Sequence, residues 1–234
     1  MDPAFRAFHA ELIDYAGLFP PAELEMPAAL ANYRTCWASP EAWMLARFIC
    51  PIPKLAHLSA VCDAADTALP KRLSVLARPA ETSDQLLEHL SADLDALERF
   101  TEAAEGQSTP EVLELRLPPK LKDAPALLRE IRGAVGREPL AGLRVFVEAT
   151  PERHMSQVVA RTVEALAEVR GDGWDAAGFK LRCGGVIAAA YPDLDTVKTV
   201  LVETCRRGVP MKATAGLHHP VGHRRDHRGV DENG

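Results

Sequence analysis

Three stretches decide the fold: LRVFVEA at 143–149, GFKLRC at 178–183 and VPMKAT at 209–214. Each has the length of a strand, and in each the side chains sort into two faces, because successive residues of a strand point opposite ways. Leu143, Val145 and Val147 oppose Arg144, Phe146 and Glu148. Phe179 and Leu181 oppose Lys180 and Arg182, and Val209 and Met211 oppose Lys212 and Thr214. The segments between them have a different period. Thr150 and Pro151 predict an N-cap and a first helical position, followed by the apolar stripe Met155, Val158, Val159, Ala160, Val163, Leu166 and Val169. Segment 193–207 places Leu194, Val197, Leu201 and Cys205 on one face, the face expected to pack inward. It closes with Arg206, Arg207 and Gly208, cations at the negative helix end and then a glycine stop.

The same alternation extends toward the N-terminus. Strands are predicted at 11–18 (ELIDYAGL), 43–50 (WMLARFIC), 72–78 (RLSVLAR) and 112–118 (VLELRLP), and 83–105 carries Leu86, Leu90, Leu94 and Leu97 on one helical side before Gly106. With Asp14, Arg47, Leu76, Leu115, Val147, Lys180 and Lys212 as markers, the spacings are 33, 29, 39, 32, 33 and 32 residues. One strand plus a crossover helix has that length, so the chain reads as an α/β protein, a TIM-type (β/α)8 barrel. An antiparallel α+β sheet is the alternative, but its strands rarely need a helix-length crossover every time. Seven units fit and an eighth does not, since the chain after Pro220 reads VGHRRDHRGVDENG. Residues 1–221 are therefore expected to form one barrel domain and 222–234 a polar, disordered tail, too poor in apolar residues to offset the entropy of ordering it. A barrel without its last unit exposes two strand edges, which predicts dimer pairing, closure by another segment or low stability.

Composition narrows the function. The 234 residues are 47% hydrophobic, and 27 basic side chains against 33 acidic ones give a formal charge of −6. Nucleic-acid-binding domains usually carry a basic excess, so no nucleic-acid partner is expected. No apolar run approaches the ~18 residues of a membrane helix, and the charged N-terminus MDPAFRAFHAELIDY is no secretory signal. Five cysteines (Cys36, Cys50, Cys62, Cys183, Cys205) without a C-x-x-C pair suit a reduced, cytoplasmic chain with neither zinc ribbon nor disulfide frame. There is no P-loop and no G-x-G-x-x-G.

In a barrel the apolar face of each strand meets the helices, which leaves Glu148, Lys180, Arg182 and Lys212 pointing into the lumen. They sit late in their strands, at the end where barrel enzymes build active sites, and Arg116, Arg47 and Arg78 sort to the same mouth. A basic pocket in an acidic protein favours a small anionic ligand. Two lysines in one pocket predict that one loses its proton near neutral pH, because burial and a like charge both disfavour the ammonium. A neutral lysine forms a Schiff base with a carbonyl compound, and Glu148 is placed to shuttle protons. No cofactor is needed.

At these residues the chain resembles a known family. FKLRCGG followed by MKATAGL is similar to the two lysine strands of deoxyribose-phosphate aldolases, class I aldolases with a (β/α)8 barrel. ELIDYAGLFPPA, RFICP and LRVFVEAT resemble other strands of that family, in order. The resemblance implies that Lys180 forms the Schiff base, that Lys212 perturbs it, and that Asp14 stands at the family's first-strand aspartate. It makes Lys180, Lys212, Glu148 and Asp14 the expected catalytic residues. Arg182, Arg116, Arg47, Gly184, Gly185, Gly216 and His218 are the expected substrate-binding positions. The chain departs from the family where the fourth strand offers Glu114 and Arg116 instead of an aspartate. It departs again where Leu181, Arg182 and Cys183 replace hydroxyl residues, and where the phosphate loop is reduced to Ala215 and Gly216 before His218 and His219. DYAGLFPPA, FKLRCGG and KATAGLHHP also resemble an uncharacterised group of bacterial β/α-barrel proteins. Three other readings stay open: a metal site using His218 and His219, with His223 and His227 downstream; Cys183 as a nucleophile; and a barrel that binds without catalysis.

Overall fold

Every crossover contains a helix, and every pair of neighbouring strands runs parallel, as such connections require. A computed structural model describes residues 2–151, 153–185 and 190–215. The strands are β1 (Ile13–Tyr15), β2 (Leu45–Pro51), β3 (Arg72–Leu76), β4 (Thr109–Arg116), β5 (Arg144–Glu148), β6 (Ala177–Arg182) and β7 (Met211–Thr214). They form one sheet in chain order. The helices are α1 (Pro3–His9), α2 (Met26–Trp37), α3 (Leu55–Ala64), α4 (Ser83–Ala103), α5 (Ala124–Val135), α6 (Met155–Gly171) and α7 (Leu194–Arg207). The antiparallel alternative is excluded. Among the described residues no helix is long and apolar enough to cross a membrane.

The sheet is curled. Strands spaced about 4.8 Å apart would put the first and seventh of a flat sheet roughly 29 Å from each other. Yet the Lys212 amine of β7 donates a hydrogen bond to Asp14 of β1, and further ones to Ser74 of β3 and Glu114 of β4. The sheet therefore wraps around a shared interior. No backbone pairing joins β7 to β1 among the described residues, which form a seven-stranded, all-parallel, barrel-like α/β sheet.

The outer faces of the strands, with Phe48, Leu73, Val75, Leu113, Leu115, Val145, Val147, Phe179 and Leu181, pack under the helices in one continuous core. The inner faces carry the polar residues. Gly178 belongs to this inner face because the Phe146 ring lies across it: a Cβ there would stand 2.7 Å from the Phe146 ring and 2.8 Å from the Pro210 carbonyl.

Two local expectations are corrected. Thr150 does not cap α6, which starts at Met155 after His154 in a left-handed conformation. The Thr150 hydroxyl instead donates to the Leu117 carbonyl, tying the chain past β5 to the chain past β4. The second correction is the rotation of α7. It buries Thr196, Val200 and Thr204 and leaves Leu194, Leu201 and Cys205 exposed, with Val197 half-buried. Burying threonine is tolerated because its hydroxyl can bond within the helix, as Thr204 does to the Val200 carbonyl at 2.6 Å. The apolar stripe is thus exposed instead of packed in the core. Phe5, Phe8, Leu12 and Ile13, in and near α1 and β1, are exposed as well. The 222–234 segment lies outside the described residues.

Candidate functional site

The register of the sheet sets one row of side chains across four strands, from the last residues of β4 and β5 to the middle of β6 and β7. Arg116 pairs with Glu148, Glu148 with Lys180, and Lys180 with Lys212. Because each strand alternates and all four are in step, these four side chains enter the interior at one level. Glu114 enters one layer below, two residues before Arg116, and becomes the hub. Its Oε2 lies 2.9 Å from the Lys180 Nζ, while its Oε1 accepts from the Lys212 Nζ at 2.7 Å and from the Ser74 hydroxyl at 2.6 Å. Lys180 also lies 3.0 Å from Glu148 Oε2, and Arg116 donates to Glu148 Oε1 through Nε (2.9 Å) and Nη2 (2.6 Å). Lys212 reaches onward to Asp14. Both expected lysines and both expected carboxylates are therefore in one connected group. Glu114 and Ser74, which the sequence reading did not place in the site, are at its centre; the signal was the alternation that puts Glu114 on the face of Arg116, and Ser74 on that of Arg72.

The electrostatics correct two expectations. The pocket interior is not basic, because Lys180, Lys212 and Arg116 meet three carboxylates, Glu114, Glu148 and Asp14. Nor does the second lysine drive Lys180 toward the neutral amine. Burial pulls the Lys180 ammonium down, but the charges of Glu114 and Glu148 and the hydrogen bonds they accept outweigh it, holding the group above the usual lysine range. Burial likewise pushes the Glu114 carboxyl up, and Lys180 and Lys212 overcome it, so Glu114 stands below the usual carboxylate range. A carboxylate lies between the two ammonium groups, and attraction to it exceeds the repulsion that two bare lysines would feel.

Above this group opens a cleft of about 540 Å³. Arg116, Glu148, Lys180, Arg182 and Asp193 supply its charged lining, and Met155, Leu181, Tyr191 and Pro192 are among its apolar lining. Arg182 is exposed at the mouth, with its Nε donating to the Gly184 carbonyl at 2.9 Å. Gly185 packs beside it; a Cβ there would come within 3.2 Å of the Arg182 guanidinium and 2.7 Å of Ala190.

The remaining expected residues fall elsewhere. Arg47 is the third residue of β2, and its guanidinium pairs with Glu111 at 2.7 Å and Asp14 at 3.6 Å, low in the barrel among the starts of the strands. Arg72 joins Glu111 to Glu11 at the same end. Arg47 thus closes the amino-terminal end and does not line the cleft. Arg78 lies beyond β3, where Asp93 of α4 accepts from its Nε (2.7 Å) and its backbone N–H (2.8 Å); it fastens a loop to a helix outside the lumen. The Cys183 thiol is half-buried and raised by that burial, the opposite of an activated nucleophile. Gly216, His218, His219, His223 and His227 lie outside the described residues. Among the described residues, no cluster of three or more histidine, cysteine or carboxylate side chains is arranged to hold a metal ion. No protein-family model, curated protein or solved structure matches the chain.

Proposed function

We propose that this chain is a Schiff-base-forming carbon–carbon lyase acting on a small anionic carbonyl compound. The fold then reads as a (β/α)8 barrel with seven of its units among the described residues. The observation that carries the reading is the position of Lys180, a buried amine on the wall of a cleft, held between two carboxylates at the carboxyl ends of the strands. Arg182 at the mouth and Arg116 in the cleft suit an anionic group on the substrate.

Lys180 rests as an ammonium, so it must first pass a proton to a carboxylate, and Glu148 at 3.0 Å is in reach. Its nitrogen then bonds to the carbonyl carbon. The carbonyl oxygen leaves as water with two of the three ammonium protons, one of them returned through Glu148. The iminium that remains draws in the electron pair of the Cα–Cβ bond as that bond breaks. The β-hydroxyl gives its proton to Glu148 and departs as a carbonyl. The enamine left on Lys180 takes that proton at Cα and is hydrolysed by water to release the second product and the amine. The similarity of the two lysine strands to those of class I aldolases supports the same assignment.

One observation favours a second reading, a barrel that binds without catalysis: Lys180 and Arg116 in the cleft already have carboxylate partners. Reductive trapping separates the two. Incubation with borohydride and small phosphorylated aldehydes or 2-oxo acids should leave a covalent adduct on Lys180, located by peptide mass, and absent from Lys180→Met. Labelling equal in the two proteins would overturn the lyase reading.

A further inference from the structure

Helix α7 carries an apolar stripe that nothing in the described chain covers. Leu194 is 87% exposed and Leu201 51%, and Val202 and Cys205 are exposed beside them. These residues lie on the side opposite the buried Thr196, Val200 and Thr204. Asp195 and Arg206 flank the stripe. They are eleven residues apart, close to three turns of 3.6, so they share one flank at opposite ends of the helix, about 16 Å from each other.

That arrangement is self-complementary in one orientation only. A second α7 laid parallel puts the two charged flanks on opposite sides of the pair, so no Asp195–Arg206 contact forms across it. Laid antiparallel across a two-fold axis between Val200 and Leu201, it sets each Asp195 against the other copy's Arg206, twice over, with the two Leu201 side chains meeting near the axis. In antiparallel packing the flank of one helix meets the same flank of the other, which is the flank both charges occupy. The helix ends agree, since Asp193 and Asp195 stand at the start and Arg206 and Arg207 at the finish. Lys198, within the stripe, lays its methylene stem along it and keeps its charge at the rim.

We propose that α7 is a self-association surface on which a second copy of this chain docks its own α7, antiparallel and related by a two-fold axis. Among the described residues α7 has no outer neighbour such as α6 has in α7, and a second copy supplies one. A single helix pair is a small interface, so the dimer dissociates in the micromolar range.

Sedimentation velocity under reducing conditions tests this on the full chain. The wild type should pass from monomer to dimer as concentration rises to the order of 100 µM. Asp195→Arg and Arg206→Asp should each weaken the dimer at least tenfold, and an equal mixture of the two should restore it, because both cross-pairs are then opposite in charge. Leu201→Glu should abolish it, while Ile13→Glu on the β1 edge should leave it unchanged. Circular dichroism confirms that each variant is folded. If a reversed charge unsettles the helix, Asp195→Asn and Arg206→Gln serve instead, each weakening the dimer and the pair together costing no more than one. A wild type that stays monomeric overturns the proposal. So does a dimer that ignores the charge exchange, or one that Ile13→Glu disrupts, which would mean edge-strand pairing.

Discussion

Replacing Glu114 by glutamine keeps its shape and removes the charge that two lysines share. The side chain is 2% exposed and accepts from Lys180, Lys212 and Ser74. Glutamine offers one carbonyl oxygen and one NH2 group, so at least one ammonium would face a donor. Asp14 still serves Lys212, and Glu148 still serves Lys180, although it also holds Arg116. The interior changes from balanced to one excess positive charge. Breaking a buried pair in this way costs roughly 3–5 kcal/mol. In a chain of this length each kcal/mol moves the melting temperature by about 2–4 °C, so the expected fall is roughly 6–20 °C near neutral pH. The pH dependence has a definite sign. The folded Glu114 carboxyl is held below its ordinary value, so its stabilisation is present above the unfolded value of about 4.3 and is lost as the pH falls through the folded value. The protonated wild type then resembles the variant, and the two melting curves should converge in acid. Calorimetry at about pH 7 and about pH 3 measures both effects. A fall smaller than about 2 °C near neutrality, or a gap that does not narrow in acid, would refute the account of Glu114 as the hub.

Glu148→Gln removes the carboxylate that takes the Lys180 proton, so borohydride trapping near neutral pH should slow and any turnover should fall with it. In the wild type, trapping should accelerate as pH rises toward the raised lysine value, and a flat pH profile would contradict the ion-pair assignment. Asp93→Ala strips Arg78 of a buried partner and should cost about 1.5–3 kcal/mol in denaturant melts without changing Lys180 trapping. Gly178→Ala drives a methyl group into the Phe146 ring and the Pro210 carbonyl; a loss of about 1–3 kcal/mol is expected, and an unchanged stability would mean that the ring can move aside.

Alternation along the strands, by itself, determined a great deal here. A strand has a side-chain period of two whatever surrounds it, so LRVFVEA, GFKLRC and VPMKAT already sent Glu148, Lys180, Arg182 and Lys212 to one face, and the unit spacing already favoured parallel over antiparallel pairing. What alternation leaves open is height. Arg47 and Arg116 both point inward, but one stands at the start of its strand and closes the amino-terminal end, while the other stands at the end of its strand and lines the cleft. Partners were equally out of reach of the local pattern. Glu114 becomes the hub because Ser74 stands on the paired strand β3 and the curl of the sheet brings the Lys180 and Lys212 side chains of β6 and β7 onto its carboxylate, from positions up to 98 residues away. The rotation of α7 was decided the same way, since its apolar stripe and its threonine face are both acceptable to an isolated helix and only the packed neighbours choose between them. The charge state of Lys180 follows last. Counting lysines predicted repulsion and a neutral amine, but Coulomb energy depends on separation, and in the folded chain the nearest charges to that nitrogen are carboxylates at 2.9 and 3.0 Å.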